Sequence, residues 1–151
     1  MNDPFVHSPA RILAQWIETS GLGSDPEGVG DWPCFVNHLP PPDDVATEAI
    51  MISDTSGTIV SRLMRNGEVF QNFGVQVWIR SDDQNTGFQK AVAIGVALDT
   101  VLRSEIDVEG VTYLLHNALV NSGVLPVGQD EDRKYGTALN YSLILTKEVE
   151  K

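Results

Sequence analysis

Basic residues are scarce in this sequence: four Lys and six Arg stand against 21 Asp and Glu, for a formal net charge of −11. Affinity for nucleic acid comes largely from Lys and Arg neutralising phosphates. The ten cations here are scattered without a basic run, which argues against sequence-independent DNA or RNA binding. Such a surface still suits a protein that DNA must pass without sticking. Cysteine is scarcer still. Cys34 stands alone, so an internal disulfide is excluded, and a lone free thiol reads first as a small buried apolar residue. No apolar stretch is long enough to span a bilayer. The opening MNDPFVHSP lacks the basic and apolar regions of a signal peptide, so the chain is expected to be cytosolic when made.

What is present is ordinary globular material. At 151 residues the chain suits one domain, and two cores would each be undersized. A domain of this size buries roughly 70% of the surface its unfolded chain exposes, so no metal or disulfide staple is needed. Hydrophobic residues at 42% and charged residues at 21% set it apart from disordered chains. The organisation read from the sequence is an N-terminal arm over 1–8, one α+β domain over 9–147 and a charged tail over 148–151.

Ser8-Pro9 opens a first helix, with Ser as cap and Pro in the first turn. Ile12, Leu13, Trp16 and Ile17 form its apolar stripe and Gly21 its stop. Residues 20–33 read as loop, and Cys34 to His38 as a short edge segment ended by Pro40-Pro41-Pro42. Glu48 to Asp54 reads as a strand. The stretch from Thr55 to Asn72 carries Ser56-Gly57 and the hairpin signal Asn66-Gly67, and suggests an extended arm or ribbon. Phe73 to Arg80 alternates as a strand. A second helix is expected from a capping box of Thr86 and Gln89, with Phe88, Ala91, Val92, Gly95, Leu98 and Leu102 on its stripe. Gly95 there lets the helix sit close to a sheet. Gly110 to Ser122 alternates through Val111, Tyr113, Leu115 and Leu119, and Thr137 to Lys147 through Leu139, Tyr141, Leu143 and Leu145. The architecture expected is a mostly antiparallel sheet with two main helices packed on one face.

A search for chemistry gives little. Asp54-Thr55-Ser56-Gly57 is reminiscent of the aspartic-protease fragment, but a residue intervenes before the glycine and no second copy completes a carboxylate pair. An Asp and a Gly shaping a strand end is the simpler reading. His38 lies four residues after Cys34, yet a structural zinc site needs a second ligand pair that nothing supplies. There is no G-x-S-x-G elbow, and Gly21-Leu22-Gly23 follows a helix where a phosphate loop would precede one. Trp32, Phe73 and Trp78 lack the neighbouring cations of a base-stacking platform. No catalytic residue, cofactor site or metal site is assigned.

Several stretches, in order, resemble the tail-terminator and minor tail (minor capsid) component families of long-tailed double-stranded DNA phages. They are the helix ending in Gly21-Leu22-Gly23, Trp32-Pro33-Cys34-Phe35-Val36, Leu39-Pro40-Pro41-Pro42-Asp43, Asp54-Thr55-Ser56-Gly57, the strand Val75-Gln76-Val77-Trp78-Ile79-Arg80-Ser81, and the helix that continues through Lys90-Ala91. The resemblance covers about Ile12 to Leu102 and fades in the last two strands. It implies a non-catalytic virion protein, a homo-oligomeric ring, usually a hexamer, at the head-proximal end of the tail tube. The ring would stop tube polymerisation and join the tail to the head. Its partners would be further copies of itself, the major tail tube protein and a neck or head-completion protein, with DNA passing through the channel unbound.

On that reading Arg62, Leu63, Met64, Arg65 and Phe70 are the candidate interface residues, because the segment around them is apolar for a solvent loop. Asp82, Asp83, Asp130, Glu131 and Asp132 are the candidate channel-facing acids, since like charge keeps DNA sliding. Another neck or tail-completion component is the nearest alternative. A small α+β enzyme or a binding module is the alternative from a different class.

Overall fold

The computed structural model describes residues 6–25, 30–39, 48–62, 69–129 and 134–147, with backbone alone for 56–62 and 69–72. The chain order is α1 (Pro9–Thr19), β1 (Cys34–Val36), β2 (Ala49–Arg62), β3 (Val69–Ser81), α2 (Gln84–Asp99), β4 (Ser104–Val108), β5 (Val111–Gln129) and β6 (Tyr135–Lys147). The strands form one six-stranded sheet in the order β1-β2-β3-β6-β5-β4. Every neighbouring pair is antiparallel except β1 and β2. This is an α+β fold.

Local chemistry sets the first helix as expected. Ser8 caps it, its Oγ accepting from the Arg11 amide at 3.3 Å, with Pro9 at the first helical position. At the other end Gly21 N–H donates to the Glu18 carbonyl and Leu22 N–H to Ile17, both at 3.1 Å. That double closure consumes two of the carbonyls the helix end would leave unpaired. Ile12, Leu13 and Ile17 are fully buried, and Trp16 packs against their cluster. Each such side chain contributes about 1.5–3 kcal/mol of transfer free energy.

The core lies between the helices and one sheet face. Ile50 and Ile52 of β2, Val75, Val77 and Ile79 of β3, Leu139, Tyr141, Leu143 and Leu145 of β6, and Tyr113 and Leu115 of β5 all join the α1 and α2 side chains in one buried cluster. The registers Ile50↔Ile79, Val77↔Leu139 and Leu115↔Leu145 set these residues side by side on the same face.

Several expectations need correction. The second helix is capped by Asp83, not by a box at Thr86 and Gln89: Asp83 Oδ2 accepts from the Thr86 amide at 3.2 Å and its hydroxyl at 3.0 Å. A carboxylate three residues upstream both satisfies the orphan N–H and favours the positive helix end. The buried stripe of α2 is Gly87, Ala91, Ile94, Gly95 and Leu98, while Phe88, Val92 and Leu102 are exposed. Apolar residues surround most of this helix, so periodicity alone does not select its inner face.

The 55–72 segment is a two-stranded ribbon where it is described, and its Ser61–Arg62/Val69–Phe70 part extends past β6. β2 runs on through Gly57 with a bulge between Asp54 and Gly57, and β3 is flanked by β6 from Gln71 onward. The turn at Asn66-Gly67 lies outside the described residues. The strand expected over 110–122 extends to Gln129. A bulge between Leu115 and Asn117 flips its alternation, burying Ala118 and exposing Leu119. Sequence reading also missed β4, joined to β5 by a two-residue turn in which Glu109 and Gly110 both have positive φ, 51° and 87°.

Candidate functional site

Asp54, the residue of the protease-like fragment, is a structural ligand of backbone. Its Oδ1 accepts from the Ala10 amide at 2.9 Å and its Oδ2 from Asn37 Nδ2 at 3.2 Å, while its own amide donates to Asn37 Oδ1 at 3.0 Å. It therefore ties the start of α1 and the end of β1 to the middle of β2, where the sequence suggested a strand end. Cys34 is buried, and burial pushes its thiol up to about 12. Its would-be companion His38 is exposed. Among the described residues no group of three or more His, Cys, Asp or Glu is placed to hold a metal ion.

The aromatics have packing roles. Trp32 is partly buried against the core, with Lys90 Nζ 5.3 Å from its ring centroid. Burial lowers the Lys90 pKa. Trp78 lies on the sheet face opposite the helices, over the site where Gly136 has no side chain. His7 contacts the Tyr113 hydroxyl through Nδ1 at 2.9 Å and Glu109 through Nε2 at 3.3 Å, pinning the N-terminal segment to β5 and to the turn before it.

Of the candidate acids, Asp82 and Asp83 lie at one end of the sheet, between β3 and α2. Asp82 is ion-paired with Lys134, and Asp83 is spent in part on the α2 cap. Asp130, Glu131 and Asp132 lie outside the described residues. The chain flanking them is placed: Gln129 pairs with Tyr135, which pairs with Ser81. So the connection carrying three acids starts and ends beside Asp82. Beside it is a cleft of about 380 Å³ lined by Asp83, Gln84, Asn85, Phe88, Pro126 and Thr137. Of the candidate interface residues, Leu63, Met64 and Arg65 lie outside the described residues. Arg62 and Phe70 are placed in β2 and β3 by their backbone alone, Arg62 opposite Val69 and Phe70 opposite Ser61.

The surface that sequence reading missed is apolar. On α2, Phe88, Val92 and Val96 recur every fourth residue on the outer side and are 43%, 38% and 59% exposed. On β5, Leu119, Val120, Leu125 and Val127 are each about half exposed. Phe88 and Pro126 line the same cleft, so ridge and strand meet there. The signal available was the absence of charge. From Val111 to Gln129 the chain has no Asp, Glu, Lys or Arg, the longest such stretch in the sequence.

No protein-family model matches this chain, and no curated protein matches it. Among solved structures, one described by an identifier alone is similar over 93% of this chain and 91% of its own. Its identity is 12% and its TM-score 0.46, too low a likeness to carry an argument.

Proposed function

We propose that this chain is a virion assembly protein, a tail terminator whose ring caps the head-proximal end of a phage tail tube and joins it to the head. The observation that carries this reading is the apolar ridge of α2, which meets β5 at the cleft lined by Phe88 and Pro126. Surface apolar residues scattered singly need no explanation, but a contiguous set marks an interaction site. The protein's −11 charge works against casual self-association, so the apolar strip is the part of the surface suited to a partner. The resemblance of Trp32–Val36, Leu39–Asp43 and Val75–Ser81 to terminator sequences supplies the class of partner. Asp82 and Asp83, at the end of the sheet where the 129–135 connection begins and ends, would suit a channel rim that DNA passes without adhering.

The test is the mass of the purified protein by light scattering, alone and mixed with tail tubes, with negative-stain images of both. Rings, or a monomer that becomes a cap at one tube end, are expected. A monomer that ignores the tubes removes the terminator reading and returns the enzyme and binding-module alternatives.

A further inference from the structure

Among the described residues, both outer edges of the sheet are covered for only part of their length. On one side β1 pairs with β2 at Ile50–Ile52. The Asn37 amide then takes the Ile52 carbonyl and the Asn37 side chain takes the Asp54 amide, closing the cover. From Thr55 to Ser61 no described strand lies outside β2. On the other side β4 pairs with β5 at Val111–Leu115, and the Arg103 amide takes the His116 carbonyl at 3.2 Å. From Asn117 onward no described strand lies outside β5.

We propose that copies of this chain join head to tail by sheet extension, the Asn117–Leu125 edge of β5 in one copy adding to the Thr55–Ser61 edge of β2 in the next. The inference rests on the assembly reading above and names its contact. Three observations carry it. The first is direction. The registers Ala49↔Arg80, Ser81↔Tyr135 and Gln129↔Tyr135 put the start of β2 and the end of β5 at the same end of the sheet. Two copies laid side by side in the same orientation therefore present these edges antiparallel, with no reversal.

The second is charge. Exposed edges are normally blunted by lysine, inward charge, proline, bulges or a covering element. Both stretches carry bulges, at Asp54/Gly57 and Ile59/Ser61 in β2 and at Val120/Ser122 and Ser122/Leu125 in β5, but not the charges. Neither Thr55–Ser61 nor Asn117–Leu125 contains a charged residue, in a chain with 31 of them. Such a pair of edges excludes neither the other nor water-free contact, whereas most of this acidic surface would be repelled by itself. Pro126, which has no N–H to donate, sets the far limit of the β5 edge. The third is the apolar content. Leu119 and Val120, on opposite faces of one strand, are both half exposed, apolar surface that an added strand's side chains would cover.

The two open halves lie at opposite ends of the sheet, so each added copy is displaced along the strands. Repeated stagger of this kind tilts the strands and curls the sheet, as in a barrel, and a head-to-tail contact repeated about an axis closes a ring.

Val120→Lys and Thr58→Lys in the full chain test this. Each variant alone should remain monomeric under conditions where the unaltered chain assembles, with unchanged circular dichroism. Mixed, each retains the edge the other has lost, so they should form a 1:1 dimer that grows no further. A chain carrying both Val120→Cys and Thr58→Cys should cross-link into a ladder ending at the ring size; Cys34 is buried and contributes no background. A Thr58→Lys variant that still dimerises, or Val120→Cys chains that stop at a cross-linked dimer, would show a two-fold β5–β5 contact and overturn the proposal. So would unaltered assembly of both lysine variants. An unaltered chain that stays monomeric with and without tubes fails the assembly reading itself, a distinguishable result.

Discussion

The hydroxyl of Tyr141 on β6 reaches the carbonyl of Gly95 on α2 at 3.4 Å and the Asp99 carboxylate at 3.3 Å, with the ring otherwise buried. A methyl group at residue 95 would stand 3.3 Å from that oxygen. Helix and sheet are thus set at a distance that a glycine permits and a tyrosine fills. Alanine in place of glycine ordinarily stabilises a helix by about 0.8–1.0 kcal/mol. Here Gly95→Ala should yield none of that gain, because the hydroxyl must shift. In a Tyr141→Phe background, which itself should cost about 1 kcal/mol, the same change should recover it. Urea unfolding of the four proteins measures the coupling, and strict additivity would dismiss the contact.

Gly136 and Trp78 form a tighter pair across β6 and β3. A Cβ at 136 would lie 2.4 Å from the indole ring. Gly136→Ala should cost about 1–3 kcal/mol through overpacking, seen as a lower urea midpoint. Trp78→Leu should relieve most of that penalty. If Gly136→Ala melts like the unaltered protein, the indole is free to move.

Asp54 holds the start of α1 and the end of β1 against β2. Asp54→Ala should destabilise the fold by about 0.5–2 kcal/mol, the range for losing a helix cap. Asp54→Asn should recover part of this, since an amide oxygen still accepts from Ala10. Activity-like chemistry is not expected of this carboxylate, so the readout is thermal or urea unfolding.

Alkaline stability follows from two buried groups. Burial raises the Cys34 thiol from 9.0 to about 12, and burial with the Asp99 charge and hydrogen bond raises the Tyr141 phenol from 10.0 to about 12. Each folded value exceeds the unfolded one, so the contribution is complete below pH 9 and is lost as pH rises towards 12. Unfolding free energy should fall steadily from pH 9 to 12, by at most about 1.4 kcal/mol per pH unit for each group. Cys34→Ala should show a shallower slope over that range, whatever its stability at pH 7. The thiol should also resist aqueous thiol reagents in the folded protein at pH 8, and react on unfolding.

On the α2 ridge, Val96→Glu should leave monomer stability within about 0.5 kcal/mol, as for exposed positions generally. The same variant should weaken assembly. Preserved stability with normal capping of tubes would remove α2 from the interface.

Much of the fold was legible along the chain because its signals are local. Ser8-Pro9 and Gly21 bound α1 through hydrogen bonds made within one turn of themselves, and Phe73–Arg80 and Thr137–Lys147 alternate because each strand has one face on the core. The lone thiol was expected to be buried, and Gly95's place on the α2 stripe pointed to the close approach there. Other features depend on partners far away in sequence. Which side of α2 is buried was decided by the sheet beneath it, since Phe88, Val92 and Ile94 are equally apolar. Leu119 faces solvent because a bulge after Leu115 shifts β5 against β6, and a bulge exists only between paired strands. Asp54 gained its role from Ala10 and Asn37, brought to it by the crossing of α1 and the parallel pairing of β1. That no described strand lies outside β2 from Thr55 or β5 from Asn117 appears only once strand order is known, because an edge is a property of the sheet and of no single strand. Residue types and local hydrogen bonding determined the elements; tertiary pairing, which sets register and neighbours, decided which surfaces were left for a partner.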